Sequence, residues 1–225
     1  MIFMLKIDLH THAGKDANHD LDYSPKQLID RMSKLGYDAF AITNHDTFTF
    51  SGELRRYAEK KGILLIPGME RTIEGKEVIL INIKKDVIEK IKTFADLERY
   101  KKKNRSMFVI APHAFYPEFK LKSLHSKLID NIKLFDGIEF SHFYIRWLTF
   151  NTRAARTAEK HGLPLIGTSD CHMFDQLDRT YTLVDAERNT GSILNALRKG
   201  KMRLVTEHIP FFRAVKIITL LYFRY

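Results

Sequence analysis

A closed α/β barrel of parallel strands is the fold class this sequence predicts, and three observations carry the prediction. Short apolar runs alternate with stretches of helical periodicity along most of the 225 residues. Four of the predicted helices close at a glycine: Gly36, Gly62, Gly162 and Gly200. The apolar runs also stop abruptly at histidines or carboxylates, as strands do when all contribute to one site at their carboxyl ends. Six of the ten histidines stand at such endings.

The first strand, Met4 to His12, ends in His10-Thr11-His12. Side chains two apart on an extended segment share a side, so both imidazoles can reach one metal ion. Residues 13–24 form a polar loop. Ser24-Pro25 then supplies an N-cap and a first-turn proline, and Leu28, Ile29, Met32 and Leu35 recur at helical spacing. The second strand, Ala39 to Thr43, runs into Asn44-His45-Asp46. A helix over 51–61 puts Leu54, Tyr57 and Ala58 on one face, and the third strand from Ile63 leads to Gly68-Met69-Glu70. Residues 71–84 read as a hairpin turning at Glu74-Gly75.

The spacing of Val87, Ile88, Ile91, Phe94 and Leu97 predicts a single helix over 86–103, after which Met107 to Ala111 delivers His113. A helix over about 121–133, a strand over 137–140 ending at Ser141-His142 and a helix over 147–161 follow. The strand from Leu163 to Gly167 leads to Thr168-Ser169-Asp170-Cys171-His172. A strand Thr180–Val184, a helix Thr190–Arg198 and a last strand Arg203–Thr206 complete the pattern. Parallel strands with right-handed crossovers follow from this alternation.

One domain over 1–208 accommodates all of it. No Pro/Gly/Ser-rich linker interrupts the chain, and 44% hydrophobic content supplies a full core. Residues 209–225 form a hydrophobic tail, too short and too basic for a transmembrane span. It is expected to pack on the barrel or on another copy in a homo-oligomer, with a membrane-surface helix as the alternative. One cysteine, Cys171, excludes an internal disulfide framework and fits a reducing cytoplasm. The start lacks the features of a signal peptide. A net charge of +10 reads either as a solvated Lys-rich surface or as attraction for anionic substrates, nucleotides or nucleic acid.

In a parallel barrel the strand ends open on one face, so His10, His12, His45, Glu70, His113, Asp170 and His172 converge there. Neutral imidazoles mixed with carboxylates suit zinc, manganese or iron. Glu70 is the choice for a carboxylate bridging two cations. Cys171, between two residues that share a side, faces the other way as a core residue. Asp8 is expected to orient His10 or another ligand, or else to make a buried backbone bond.

Taken as an ordered set, Asp8-Leu9-His10-Thr11-His12, Ile42-Thr43-Asn44-His45-Asp46-Thr47, Pro67-Gly68-Met69-Glu70, Ala111-Pro112-His113 and Thr168-Ser169-Asp170-Cys171-His172 resemble the motifs of the PHP (polymerase and histidinol phosphatase) family over about residues 5–206. The resemblance implies a distorted (β/α)7 barrel, TIM-barrel-like, holding two or three divalent metals and hydrolysing phosphate esters. It assigns His10, His12, Glu70 and Asp170 to one metal, and Glu70 and His113 to a second. A third takes His45, His172 and a ligand from the loop after His12, where Asp16 is favoured over Asn18, His19 and Asp20. The chain departs from the family in having Asn44 where Asp is common and no histidine between Arg71 and Ile83.

The expected activity is metal-dependent hydrolysis of a phosphorylated small molecule or nucleotide. Asp46 and His142 are the candidate proton shuttles. Arg71, Arg146 and Arg179 either clamp phosphate or form surface ion pairs. Two other functions fit the same sequence: an exonuclease for single-stranded nucleic acid, stacking bases on aromatics such as Phe48, Phe115 and Trp147, and a non-catalytic, metal-stabilised binding module.

Overall fold

The computed structural model describes residues 4–117 and 122–224. The start of the chain at Met1 to Phe3, the predicted helix start near 121 and the last residue of the tail lie outside the described residues. The elements run β1 (Leu5–Thr11), α1 (Pro25–Lys34), β2 (Ala39–Ile42), α2 (Gly52–Lys60), β3 (Leu64–Ile73), β4 (Lys76–Ile81), α3 (Val87–Lys90), α4 (Phe94–Lys103) and β5 (Phe108–Ala111). They continue α5 (Ser126–Asp130), β6 (Gly137–Ser141), α6 (Asn151–His161), β7 (Leu165–Thr168), β8 (Thr180–Val184), α7 (Thr190–Arg198), β9 (Met202–Thr206) and α8 (Phe211–Arg224).

One curled sheet has the order β7-β6-β5-β4-β3-β2-β1-β8-β9. Strands β1 to β3 pair in parallel, as do β5 to β7. Between them β4, the return arm of the predicted hairpin, is antiparallel to both neighbours. The ring closes where the end of β1 meets the chain beyond β7: Thr11 bridges Cys171, and His12 N–H donates to the Cys171 carbonyl at 3.1 Å. Lower down, the β8–β9 hairpin is wedged against the same seam, with β8 antiparallel to β1. Thr182 Oγ1 accepts from Gly167 N–H at 2.9 Å and donates to its carbonyl at 3.0 Å. A Cβ on Gly167 would lie 2.3 Å from Leu204 Cδ1 and 2.8 Å from the Tyr181 carbonyl oxygen, so only glycine permits this closure. The structure is therefore the expected barrel, with nine strands in its sheet in place of seven and two departures from parallel order.

Local chemistry explains the helix boundaries. Ser24 Oγ accepts from Gln27 N–H while the Gln27 side chain accepts from Ser24 N–H, a reciprocal cap that starts α1. The single helix predicted over 86–103 is two, α3 and α4. Thr93 and Asp96 form a second such box, which fixes a new helix start where continuous periodicity had suggested none. The helix predicted over about 121–133 is reduced to α5 and a 3-10 turn at Ile132–Leu134, and α6 begins at Asn151 instead of 147. Gly162 ends α6 in the left-handed region at φ 65°.

Inside the ring, Ile7, Leu9, Ile66, Ile79, Ile81, Phe108 and Ile110 form a core with Ile193 and Leu197 of α7. Outside it, α1 and α2 cover β2 through Leu28, Met32 and Ala58, and α4 to α6 cover β4 to β6 through Leu97, Leu128 and Ala158. No described helix is long and apolar enough to cross a membrane. In the tail, Ala214 and Ile217 of α8 pack with Ile209 against Phe143, Ile145 and Met173.

Candidate metal centre

A β-bulge aims the first two ligands. In the β1–β2 ladder Asp8 pairs with Phe40 and Thr11 with Ile42, which leaves Leu9 and His10 together opposite Ala41. Alternation is broken at that point. Ile7 and Leu9 line the lumen below the bulge, and His10 and His12 face the lumen above it. Asp8 takes the other face: its Oδ1 accepts from His10 N–H at 3.1 Å and its carboxylate from Ser169 N–H at 3.2 Å. Its carboxylate thus ties β1 to the end of β7 through the backbone, and the His10 ring goes elsewhere. Burial is the main influence raising the Asp8 pKa, to about 7.

The other strand ends add their residues under visible strain. Asp46, His113 and Asp170 have φ values of 45°, 28° and 44°, a region non-glycine residues occupy at a cost. Asn44 fixes the loop before His45 by accepting from Ala13 N–H at 3.0 Å and donating to the Ala13 carbonyl at 2.8 Å. A carboxylate could not make the second bond, which accounts for an amide here.

Four donor atoms meet at the centre. His10 Nε2 lies 3.1 Å from Glu70 Oε2 and 3.3 Å from Asp170 Oδ1, and His12 Nε2 lies 3.4 and 3.3 Å from the same two oxygens. Donors around a tetrahedral ion at ordinary zinc distances are about 3.3 Å apart. The second Glu70 oxygen, Oε1, is 3.2 Å from His113 Nε2. There Glu77 of β4 joins, its oxygens 3.6 Å from His113 Nε2 and 3.8 Å from His45 Nε2. On the far side of His12, the rings of His45 and His172 lie 4.5 and 4.3 Å away, and His12, His45 and His172 can offer three atoms to one ion. Asp16, His19 and His45 form a further such group, whereas Asn18 and Asp20 are exposed.

Outer contacts set the tautomers. His10 Nδ1 donates to Glu139 Oε1 at 2.7 Å, His45 Nδ1 to Asp16 Oδ2 at 3.1 Å, and His172 Nδ1 to the Asp170 carbonyl at 3.0 Å. Each leaves a bare Nε2 lone pair, the form that binds a metal. Asp16 also accepts the Asn18, His19 and His45 amides at 2.8, 2.7 and 3.0 Å. Among the described residues, neither ring nitrogen of His12 nor Nε2 of His172 has a hydrogen-bond partner, though all three are buried. Unpartnered buried nitrogens amid carboxylates are costly unless a cation completes them. The residues therefore fit divalent ions.

Without cations, protons take their place. Burial would raise Glu70 and Asp170, but facing histidines, His10 foremost, hold both well below the ordinary carboxylate range. Burial would likewise depress His10 and His113; surrounding carboxylates instead raise His10 well above its usual value and His113 to about 9. His172, buried beside His12, is driven well down.

Two ligand-face residues escaped the sequence reading. Glu77 comes from the segment between Arg71 and Ile83, which holds no histidine, and Glu139 is a fully buried acid in mid-strand that also accepts from His113 N–H and Thr168 Oγ1. A lone charge inside an apolar run was the available signal for Glu139, whereas Glu77, beside Lys76 at the start of its run, offered none. Glu139→Gln is expected to weaken metal affinity about 10- to 100-fold with the fold intact, measurable by titration calorimetry, because the amide no longer holds His10 as a strong donor.

The remaining candidates are engaged differently. Arg71 pairs with Asp46 and donates to the Ile91 and Ile88 carbonyls at 3.0 and 3.2 Å, so both residues are committed to anchoring the loop before α4. Asp46 also accepts from Thr72 N–H at 2.9 Å. Arg179 pairs with Glu207 at 3.1 Å on the surface, and Arg146 is exposed on the loop after β6. His142 is buried next to the centre, and burial holds it down to about 4. The Gln176 amide donates to its Nε2 at 3.1 Å, leaving a neutral Nδ1–H that has no partner among the described residues. Cys171 is buried, with Tyr23 Oη 3.4 Å from its sulfur.

An α/β barrel whose strand ends gather histidines and acids able to hold metal is thus the class of protein the fold and site define. A family model described as PHP-associated matches residues 149–202, the span carrying Asp170 and His172. An uncharacterized protein of Methanocaldococcus jannaschii, MJ1587, is 27% identical over 151 residues, covering 63% of this chain and 84% of that one. Among solved structures, a two-domain protein from Bacteroides vulgatus containing a predicted PHP-like metal-dependent phosphoesterase superposes with a TM-score of 0.71 and 25% identity. That match covers 91% of this chain, which spans only 65% of the other. The lesion-specific endonuclease PfuEndoQ of Pyrococcus furiosus shares the fold at a TM-score of 0.62 and 14% identity, over 96% of this chain and 66% of its own. The chain is thus similar to PHP-like proteins, in sequence over residues 149–202 and in fold over most of its length.

Proposed function

We propose that the protein is a metal-dependent phosphoesterase that hydrolyses a phosphate mono- or diester of a small metabolite or nucleotide. One observation carries the reading: the two oxygens of Glu70 face different donor sets, Oε2 toward His10 and His12 and Oε1 toward His113. A carboxylate so divided is suited to adjoining cations, as hydrolysis by paired metals requires. His10, His12, Glu70 and Asp170 would hold one ion, and Glu70, Glu77 and His113 a second. His45 and His172 would hold a third, with Asp16 or His19 from the loop. When bound, zinc, manganese or iron supplies a nucleophile at neutral pH and offsets charge on the phosphoryl oxygens.

The chain's own groups do the positioning. Glu139 and Asp16 fix the His10 and His45 tautomers. His142, neutral because burial lowers it, offers its Nδ1–H to a phosphoryl or leaving oxygen, which makes it a donor and not a base. The bonds of Asp46 to Arg71 and Thr72 favour a loop-holding role over proton transfer for that carboxylate.

Metal-reconstituted protein assayed against a panel of phosphate mono- and diesters is expected to turn over at least one class. A folded, metal-loaded protein inert across the panel would sink the reading. A net charge of +10 supports a second reading, an exonuclease on single-stranded nucleic acid. Faster cleavage of an oligonucleotide than of a mononucleotide in the same panel selects it.

A further inference from the structure

Among the described residues, the most exposed large apolar side chains lie together on one rim of the barrel. Trp147 is 71% exposed and Phe212 86%, with Leu148, Phe211 and Val215 about half exposed around them. The Trp147 and Phe211 rings are 6.0 Å apart and those of Phe211 and Phe212 5.8 Å, so the surface is continuous. Scattered exposed apolar residues need no explanation, but a contiguous patch with three aromatics does. Helix α8 has already satisfied its inner face, since Ala214 and Ile217 pack on the barrel and Ile209 N–H donates to the Tyr144 carbonyl at 2.8 Å. Phe211, Phe212 and Val215 are left on the outside, where a water-facing helix carries polar residues.

Charge says what covers the patch. Arg146, next to Trp147, is exposed, and Lys216 borders Val215 at 62% exposure. Among the described residues, the one carboxylate paired with this helix is Asp175, shared between Arg213 at 3.2 Å and Lys216 at 3.7 Å. Aromatic and aliphatic side chains edged by cations match the boundary between lipid headgroups and acyl chains. Stacked bases fit less well: the rings are inclined by 35° and 65° to one another, and Leu148 and Val215 have no flat face to offer.

We propose that the patch of Trp147, Leu148, Phe211, Phe212 and Val215 docks on the surface of an anionic lipid bilayer, with α8 lying in the interfacial plane. Fourteen residues of helix are about 21 Å long, enough to lie along the surface. The loop carrying Trp147 follows the strand that ends beside His142, so docking sets the membrane next to the metal-centre end of the barrel.

Flotation of the full chain with vesicles tests this. Binding is expected to an equal mixture of phosphatidylcholine and phosphatidylglycerol, and about tenfold weaker to phosphatidylcholine alone or in high salt. Trp147 is the chain's single tryptophan, so its emission should shift to the blue with the mixed vesicles. The W147S/F212S double variant alters only exposed side chains and should keep its melting temperature while losing at least about tenfold in vesicle binding. F212S alone retains the fluorophore as a control. Failure to float with the mixed vesicles, or flotation unchanged in the double variant, overturns the proposal. It is equally overturned if the double variant instead loses a single-stranded oligonucleotide or changes from dimer to monomer.

Discussion

Glu70→Gln reduces kcat/KM for any phosphate ester the protein accepts by at least about 10³-fold. Losing an outer partner of a metal ligand typically costs about 10- to 100-fold, and Glu70 is nearer the chemistry than such a partner. Its two oxygens serve two donor sets, so the amide removes a charge from both at once. The variant should also bind fewer metal ions per chain, as read by elemental analysis after gel filtration. With metal removed, the change leaves raised histidines such as His10 without their buried counter-charge, and breaking such a pair costs about 3–5 kcal/mol. Circular dichroism on metal-loaded variant separates this loss from unfolding. A variant that keeps its metals and turns over at the parent rate would rule out the bridging role of Glu70.

Legibility in the sequence followed how local the determining physics is. Apolar runs ending in histidine identified the strands because alternation and termination are short-range signals, and β8 and α7 match their predicted bounds. The two-residue period also put His10 and His12 on one side. It could not foresee the bulge at Leu9, which depends on pairing with Ala41 and which sends Asp8 to the opposite face. Glu77 was obscured for a related reason, since its place in the centre exists only once β4 turns antiparallel and enters the ring. Arginines close to ligands in sequence looked like phosphate clamps, yet Arg71 spends its donors on Asp46 and two carbonyls. The nearest acceptor in space decides a guanidinium's partner, and sequence proximity does not report it.

Chelated protein loses stability as pH rises from about 6.5 to about 9, while metal-loaded protein does not. His113 carries the sign: carboxylates led by Glu70 outweigh its burial and raise it from 6.5 to about 9 in the folded chain. Between these values the folded state holds a proton that the unfolded state releases. The stabilisation is therefore fully present below about 6.5 and lost as pH climbs through about 9. A shift of this size corresponds to about 3 kcal/mol, or a fall of about 6–12 °C in melting temperature for a chain of this length. His10 and His45 are raised as well and act in the same direction. His19 and His142, both lowered to about 4, act oppositely, but they titrate below this window. Metal reverses the trend because each ligand must shed its proton to bind, so higher pH favours the loaded state. An excess of about 1,000 times the dissociation constant adds about 4 kcal/mol at neutral pH. Melting curves with chelator and with metal should consequently diverge as pH is raised. Parallel curves across the window would mean that His113 does not exchange a proton for a cation, which would rule out the proposed second ion.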